Sequence, residues 1–388
     1  MPFFSHAFRR LPLTVAVTLA LGAASSLAQE VVKIGYTGPL SGGAALYGKN
    51  VLNGLQLAAK EINAKGFDVK GKKYKVEIVP LDDKYAPAES AINARRLRQQ
   101  HGVPVVFVPH SGGAFALQAF NQQENFLLMA YTSVPTITEK GNKLTMRIPP
   151  NFLTYIEPFI RSQMKYGKKL GMAPADHDYA KAWVAAFEPA WTKAGGAVVA
   201  NNPMSYNKSA DFYTGVSRVL ESKPDVMFIG GPSEPTGLVA KQARELGFKG
   251  PFVIMDQAKM DEMARVTGGL QMLEGSIGTL PLTADERPGA KAFVAAYRAS
   301  YGADSNPSSE ASLNYTALHL VVQAMQLAGS VSEPAAIRAQ LDAAAKALPD
   351  AVNPNDLNGV DEKGGSELNT VVGVVEGGKM KAMRLKSL

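Results

Sequence analysis

The chain has 388 residues, 46% of them hydrophobic, with 41 Lys and Arg against 34 Asp and Glu and no cysteine. The basic residues are scattered rather than clustered, which gives no support to nucleic-acid binding. The missing cysteines exclude a disulfide framework. A chain of this length exceeds what one core usually organises, so we expect two lobes.

Residues 1–28 have the pattern of a secretory signal peptide. Arg9 and Arg10 precede an apolar run over 11–24, and a small-x-small cleavage site ends at Ala28. The run is shorter than the roughly 20 residues that a membrane span requires. There is no cysteine near the site to carry a lipid anchor. We therefore predict cleavage near Ala28 and a soluble, monomeric protein in a Gram-negative periplasm.

Short β-branched runs alternate with helical patterns through the rest of the chain. The predicted strands are 31–36, 76–81, 103–108, 127–131, 170–173, 197–200, 226–229 and 252–255. The first predicted helix has one apolar stripe that begins at Val51. The other predicted helices lie at 114–121, 181–193, 210–221, 236–246, 288–301 and 315–327. This alternation predicts α/β lobes with parallel sheets, divided near Pro149-Pro150. Ligands of such sheets bind at the carboxyl ends of the strands.

A glycine-containing segment follows the first strand. Gly43-Ala-Ala-Leu-Tyr-Gly48-Lys49-Asn50 is one residue away from a phosphate-binding loop. Asn50 stands where Ser or Thr would supply a hydroxyl to Mg²⁺. We therefore interpret the segment as a turn that opens a helix, and we predict neither a nucleotide nor any other cofactor.

The third predicted strand ends in a run of small residues. His110, Ser111, Gly112 and Gly113 lie where a helix begins. Free backbone N–H groups and the helix dipole suit an anion there, and the Ser111 hydroxyl could add a hydrogen bond. An ordinary helix N-cap explains the same residues equally well.

Other polar side chains follow predicted strands or lie in loops. Thr132 and Ser133 follow the fourth strand, where hydroxyls suit a carboxylate. Tyr47 and Tyr179 lie in loops in which a ring could form the wall of a cleft. Asp256 is a single acid at the end of the last strand. Each residue also has a purely structural interpretation.

Signals for catalysis are weak. The five histidines are not paired at metal-ligand spacing, and no G-x-S-x-G motif occurs. We predict no metal site and no enzyme. An exported serine hydrolase using Ser111 is kept as the enzymatic alternative.

Several segments together resemble a known family. Val32-Lys-Ile-Gly-Tyr-Thr-Gly-Pro-Leu-Ser-Gly, then Tyr47-Gly48 and Glu61-Ile-Asn-Ala-Lys-Gly66, resemble the opening of the periplasmic leucine/isoleucine/valine-binding family. The likeness continues through Asp82-Asp83 to Tyr315-Thr-Ala.

The resemblance implies a type I periplasmic binding protein fold, with two Rossmann-like lobes joined by a three-stranded hinge. It places the N-terminal lobe at 29–151 and 279–350, and the C-terminal lobe at 152–278 and 351–388. It also implies a protein that closes on a small carboxylate and delivers it to the membrane permease of an ABC importer. A ligand-sensing receptor with the same fold is the alternative.

The resemblance also assigns pocket positions. The family positions that bind the ligand carboxylate match Ser111-Gly112-Gly113 and Thr132-Ser133. The position that binds the ligand ammonium matches Asp256. Tyr179 matches a second-lobe tyrosine, and Tyr47 matches a side-chain pocket position.

Departures from the family pattern concern the ligand. Pro232 stands where relatives carry a tyrosine, and Pro135 stands at or beside an expected threonine. His110 replaces an apolar pocket residue, and Glu310 lies close to another pocket position. These departures leave two ligand classes open, aromatic carboxylates and branched-chain or other amino acids.

Overall fold

The computed structural model describes residues 1–4 and 29–384, so most of the predicted signal peptide lies outside the described residues. The strands are β1 Glu30–Gly38, β2 Phe67–Val69, β3 Lys72–Asp82, β4 Val105–Val108, β5 Leu127–Ala130, β6 Thr145–Arg147, β7 Lys169–Pro174, β8 Ala197–Asn201, β9 Val226–Gly230, β10 Phe252–Ile254, β11 Ile277–Thr279, β12 Leu357–Val360, β13 Ser366–Leu368, β14 Val371–Glu376 and β15 Lys379–Arg384. The α-helices are α1 Ala45–Lys65, α2 Pro87–His101, α3 Ser111–Gln118, α4 Thr136–Glu139, α5 Leu153–Gln163, α6 Asp178–Lys193, α7 Tyr213–Leu220, α8 Ser233–Glu245, α9 Met260–Thr267, α10 Pro288–Tyr301, α11 Ser309–Ala328, α12 Pro334–Ala339 and α13 Leu341–Lys346.

The first lobe is built on a sheet with strand order β2-β3-β1-β4-β5-β6. Its central strands β4 and β5 are buried along their whole length. Strands covered by helices on both faces need apolar residues at every position, which explains the continuous runs Val-Val-Phe-Val and Leu-Leu-Met-Ala.

The second lobe has a sheet with strand order β15-β14-β11-β10-β9-β7-β8. Both sheets are mixed, so the prediction of wholly parallel sheets was wrong at the edges. β2 pairs antiparallel with β3, and β14 pairs antiparallel with both β11 and β15. The β2–β3 and β14–β15 pairs are hairpins, which need no crossover helix. The chain between β11 and β14 instead runs through α10 to α13. The central strands of each sheet are parallel, as predicted.

Separate cores define the lobes, and the chain passes between the lobes three times. The first lobe has a hydrophobic cluster on each face of its sheet, and the second lobe has one of its own. The crossovers lie near Pro149-Pro150, near Leu280, and shortly before β14. β12 packs Leu357 and Val360 into the first core, whereas Val372 of β14 belongs to the second. We therefore propose that the third crossover lies at 369–371, not at the predicted boundary 350/351.

The sheets direct their carboxyl ends toward each other across the space between the lobes. Within residues 1–4 and 29–384, no helix is long and apolar enough to cross a membrane.

Candidate functional site

A cleft lies where the loops at the carboxyl ends of both sheets meet. It encloses about 300 Å³ of space, including its open mouth. The residues that line it are Tyr47, Tyr85, Pro109, His110, Ser111, Tyr131, Thr132, Ser133, Tyr179, Asp256 and Gln257. Seven of the nine predicted site residues are therefore together, and Gly112 and Gly113 are not among the lining residues.

A pair of hydroxyls marks the first-lobe side of the cleft. Ser111 is the first residue of α3, and Thr132 follows β5. Their hydroxyl oxygens lie 2.6 Å apart, and both side chains are buried. Since β4 and β5 are neighbours, their carboxyl ends bring these residues together. The pair can donate at least one hydrogen bond to a ligand oxygen.

His110 caps the helix on which the predicted anion site depends. Its Nδ1 accepts a hydrogen bond from the Gly113 N–H at 3.0 Å. The Gly113 N–H is therefore already engaged, which revises the prediction that it holds a ligand carboxylate. Of the two interpretations of this segment, the structure shows the N-cap, with His110 as the capping residue.

The His110 ring is fixed from its other side by Asp83. Because Nδ1 accepts, Nε2 carries the proton and donates to Asp83 Oδ2 at 3.0 Å. Asp83 is fully buried and also accepts from the Ser90 hydroxyl at 2.7 Å and from the Tyr85 N–H at 2.9 Å. These bonds satisfy a carboxylate that burial would otherwise make costly. Asp83 was not among the predicted site residues, although it directly follows the end of β3.

Asp256 is the acidic group of the cleft and lies two residues after the end of β10. Its carboxylate accepts hydrogen bonds from Ser133 at 2.9 Å, from the Tyr179 hydroxyl, and from Trp183 Nε1 at 3.1 Å. Ser133 belongs to the first lobe, so this contact bridges the lobes. Burial raises the pKa of Asp256, and the hydrogen bonds and Lys259 oppose that rise.

Tyr179 and Trp183 reach Asp256 from the same face of α6. They are one helical turn apart, and Trp183 Nε1 also donates to the Tyr179 hydroxyl at 3.0 Å. Trp183 is completely buried and was missed by the sequence analysis. Its i, i+4 spacing from Tyr179 is a signal that could have found it.

Aromatic rings form much of the cleft wall. Tyr47 donates its hydroxyl to the Pro109 carbonyl oxygen at 2.5 Å, and its ring centroid lies 6.2 Å from that of Tyr131. The Tyr85 ring stacks on His110 with centroids 4.6 Å apart. Across the cleft, Gln257 Nε2 donates to the Tyr85 hydroxyl at 2.9 Å.

The backbone at Tyr85 is unusual. Lys84 and Tyr85 have positive φ angles of 53° and 64°, a region that bulky residues avoid. The Tyr85 N–H bond to Asp83 helps to hold this turn. Strain of this kind persists where surrounding contacts fix it and is frequent at functional sites.

A second chamber lies beyond Tyr131 and Asp256, which line both spaces. It encloses about 640 Å³, including open solvent, and all three crossovers contribute to its wall. Pro149, Leu280 and Thr370 represent the three crossovers in its lining. The cleft therefore adjoins the hinge directly.

The other positions noted in the sequence have structural roles. Gly48 lies inside α1, where a Cβ would come within 1.7 Å of the Pro39 carbonyl oxygen. The segment is thus a helix start packed on backbone, as interpreted. Pro232 precedes α8 and accepts from the Thr236 hydroxyl at 2.8 Å. Pro135 precedes α4.

The arrangement does not provide hydrolase chemistry. The Ser111 hydroxyl contacts Thr132, while both His110 ring nitrogens are bonded elsewhere. Among the described residues, no group of His, Asp or Glu is placed to hold a metal ion.

Comparison with known proteins agrees with this geometry. The model of the periplasmic binding protein family matches residues 31–378. A Leu/Ile/Val-binding protein of Rhizobium johnstonii is 27% identical over 349 residues, which cover 89% of this chain and 91% of that protein. An amino acid binding protein of Pseudomonas aeruginosa is 26% identical over 298 residues, covering 75% of this chain and 78% of that protein.

Solved structures show the same fold. The branched-chain amino acid transporter substrate-binding protein LivJ of Streptococcus pneumoniae, in complex with isoleucine, has a TM-score of 0.75 and 25% identity, covering 92% of this chain and 99% of that one. An ABC-transporter solute-binding protein of R. palustris, in complex with benzoate, has a TM-score of 0.75 at 18% identity, covering 91% and 96%. The second likeness concerns the fold alone.

These findings confirm the predicted type I fold and the predicted family. Members of the family are binding proteins, so the hydrolase alternative was wrong. The chain belongs to the periplasmic binding protein family, with the Leu/Ile/Val-binding proteins among its relatives, and it is a substrate-binding protein rather than an enzyme.

Proposed function

We propose that this protein captures a small carboxylate in the periplasm by hinge closure and delivers it to the permease of an ABC importer, with an amino acid as the first candidate ligand. The observation that carries the proposal is the opposition of two polar groups across the cleft. The Ser111–Thr132 hydroxyl pair lies in the first lobe, and the Asp256 carboxylate lies in the second.

An amino acid matches both groups at once. Its carboxylate would accept from Ser111 and Thr132, and its ammonium would donate to Asp256. The three groups that donate to Asp256 leave part of its acceptor capacity free, since a carboxylate has about four acceptor sites. A ligand that bonds to both lobes favours the closed state, because only that state offers both contacts.

The aromatic wall supports a second ligand class. Tyr47, Tyr85 and Tyr131 could pack against a ring, and a hydroxyl on that ring could donate to Asp256. A hydroxylated aromatic carboxylate therefore remains the second candidate. A carboxylate ligand without any donor fits less well, because it would set its charge or its ring against Asp256.

The experiment is a thermal-shift screen of residues 29–388 against L-amino acids, benzoate and hydroxylated benzoates. A ligand at 100 times its Kd adds about 2.7 kcal/mol to the stability of the folded protein. Stabilisation by an amino acid supports the first candidate, and stabilisation by a hydroxylated aromatic acid alone supports the second. A screen without any stabilising carboxylate refutes the proposal.

The import role requires a separate measurement. Deleting the gene and measuring uptake of the radiolabelled ligand distinguishes an importer component from a sensor. Lost uptake supports import. Unchanged uptake with a lost transcriptional response to the ligand favours the receptor alternative.

A further inference from the structure

A second polar contact between the lobes lies outside the residues that line the cleft. Asn50 on α1 of the first lobe donates its Nδ2 to Glu262 Oε1 at 2.9 Å and contacts Glu310 Oε1 at 3.3 Å. Glu262 lies on α9 of the second lobe, and Glu310 lies on α11 of the first. The lobes therefore meet through two carboxylates that share one amide.

Lys259 completes this contact and connects it to the cleft. Its Nζ pairs with Glu310 Oε2 at 3.1 Å across the lobe interface. The same ammonium donates to the backbone oxygens of Asp256 and Gln257, each at 2.8 Å. Both residues line the cleft, so Lys259 is a positioning residue for the second-lobe side of the site. We call Asn50, Lys259, Glu262 and Glu310 the interlobe latch.

The latch is buried, and its charges do not balance. Asn50, Lys259, Glu262 and Glu310 are 6%, 3%, 7% and 1% exposed. Lys259 neutralises Glu310 by direct contact. Glu262 accepts a hydrogen bond from the neutral Asn50 amide and lies near the Glu310 carboxylate. Neither partner gives the ionised form of Glu262 a direct contact with a cation.

We propose that the interlobe latch holds the closed state and that Glu262 takes up one proton as the lobes close. The inference rests on the hinge closure that the proposed function assumes, but not on the identity of the ligand. Closure places Glu262 against Asn50 and Glu310 and removes water from it. Opening separates Glu262 from both first-lobe residues and returns water to it.

The surroundings of Glu262 agree with protonation in the closed state. Burial, followed by the Glu310 charge, raises the pKa of Glu262 from 4.5 to about 7. The groups that act on Glu262 are Glu310, Asn50, Ser233, Tyr297, Lys259 and the adjacent Asp261. Arg265, one turn further along α9, acts on Asp261 and Tyr297. Of these, Lys259 and Ser233 favour the ionised form, and Glu310 and Asp261 oppose it.

The sign of the pH dependence follows from linkage. Because the pKa of Glu262 is higher in the closed state than in the open one, protonation favours closure. This contribution is complete below the ordinary pKa of 4.5 and is lost as the pH rises through about 7. Ligand affinity should therefore fall about tenfold between pH 6 and pH 8 and then level off.

The first test is isothermal titration with L-isoleucine at pH 6, 7 and 8, a range over which its own charges do not change. We expect about a tenfold weaker Kd at pH 8 than at pH 6 in the natural protein. Glu262→Gln should remove this dependence, because glutamine keeps the contact with Asn50 and cannot ionise. Glu234→Gln, at an exposed position near the start of α8, is the matched control and should keep it. Equal pH dependence in Glu262→Gln and the natural protein overturns the proposal.

A second test needs no ligand. A Cβ on Gly43 would lie 3.4 Å from the Asn207 Cα across the lobes, and the chain has no cysteine of its own. The Gly43→Cys/Asn207→Cys pair therefore places two thiols close together across the lobes, and mass spectrometry of the oxidised protein verifies that a disulfide locks them closed. In the locked protein with ¹³C-labelled glutamate, one carboxyl signal should titrate near pH 7 and be lost in Glu262→Gln.

The two tests separate failure of the latch from failure of the proposed function. If the locked protein shows no glutamate that titrates near pH 7, the latch is refuted even when ligands bind. If isoleucine and the rest of the panel do not bind, the proposed function fails, and the locked protein alone decides the latch.

Discussion

Replacing Asp256 by asparagine should weaken ligand binding without destabilising the free protein. Asp256 Oδ1 accepts from Tyr179 and Trp183, and Oδ2 accepts from Ser133. An asparagine oxygen at the Oδ1 position keeps the first two bonds. Its amide nitrogen can donate to the Ser133 hydroxyl, which can turn to accept. The change therefore removes a charge and keeps a hydrogen bond at each of the three contacts, with the Ser133 hydroxyl now as the acceptor.

The two effects have opposite signs. Losing a charged hydrogen bond to the ligand ammonium costs about 1.5–3 kcal/mol, which corresponds to a Kd about 10- to 150-fold weaker. In the structure, burial raises the pKa of Asp256, and its partners Tyr179 and Trp183 belong to the same lobe, so we expect part of this burial to persist in the free protein. A raised carboxyl pKa means that the stability associated with this group falls as the pH rises through that pKa. Asp256→Asn should therefore equal or exceed the natural protein in stability at pH 8, and the difference should shrink toward acid.

Urea unfolding of the free protein at several pH values and calorimetric titration with the ligand from the screen measure the two effects. Asp225→Asn is the matched control in the same lobe. Asp225 Oδ2 accepts from the Lys168 and Lys169 N–H groups at 3.0 and 2.9 Å, away from the cleft. The Asp225→Asn control should lose stability, because two charged hydrogen bonds are weakened, and should keep the ligand affinity of the natural protein. Unchanged affinity in Asp256→Asn, or a loss of stability that grows with pH, would refute the reasoning.

Three further changes test other parts of the site. Ser111→Ala should weaken binding by about 1–2 kcal/mol in calorimetry, since one partner of the hydroxyl pair is lost; an unaltered Kd would remove Ser111 from the site. Tyr179→Phe should weaken ligand binding, because Asp256 loses the hydrogen bond from the Tyr179 hydroxyl that helps to position its carboxylate. Tyr206→Phe loses a buried hydrogen bond to a backbone oxygen at 2.6 Å and should lower only the melting temperature. Equal losses of ligand affinity in the two variants would mean a general packing effect. The Asp256→Asn/Glu262→Gln pair removes two ionised carboxylates whose burial opposes closure, so it should shift the free protein toward the closed form, which small-angle scattering detects as a smaller radius of gyration; an unchanged radius would show that the ionised forms of these groups do not oppose closure.

The sequence predicted eight of the ten parallel strands, and the central ones most clearly because they are buried on both faces. The two it missed, β6 and β11, are buried but have only three residues each. Val105–Val108 and Leu127–Ala130 are continuous apolar runs, which neither an edge strand nor a surface helix shows. Two other missed strands, β13 and β15, have no such run. β13 and β15 alternate with polar or charged residues and are partly exposed, so their composition resembles that of loops.

The cleft was predictable where residues directly follow a strand. Ser111, Thr132 and Asp256 were identified in this way, because the carboxyl ends of neighbouring strands converge whatever the loops do. Tyr85 was not, since its contribution depends on a left-handed turn that the sequence Lys-Tyr does not indicate.

The residues of the interlobe latch could not be identified from their spacing in the sequence. Asn50 and Glu262 are 212 positions apart and meet only when two lobes with separate cores come together. Resemblance placed Glu310 near the pocket, but its partner Lys259 comes from the other lobe. Residues that act across a hinge carry no local pattern, because neither lobe needs them for its own folding.

The charges at the interface explain why closure should require a ligand. Among the described residues of the cleft and the latch, closure takes Asp256, Glu262 and Glu310 out of water together with the ammonium of Lys259. Burying an unpaired carboxylate is unfavourable, and contact with a cation or uptake of a proton offsets this penalty. Lys259 neutralises Glu310. A proton can neutralise Glu262, and a ligand ammonium can neutralise Asp256. A ligand without a hydrogen-bond donor leaves Asp256 without a ligand partner. We therefore expect the same electrostatics that disfavours closure of the empty protein to favour a ligand that donates to Asp256, and an ammonium more strongly than a hydroxyl.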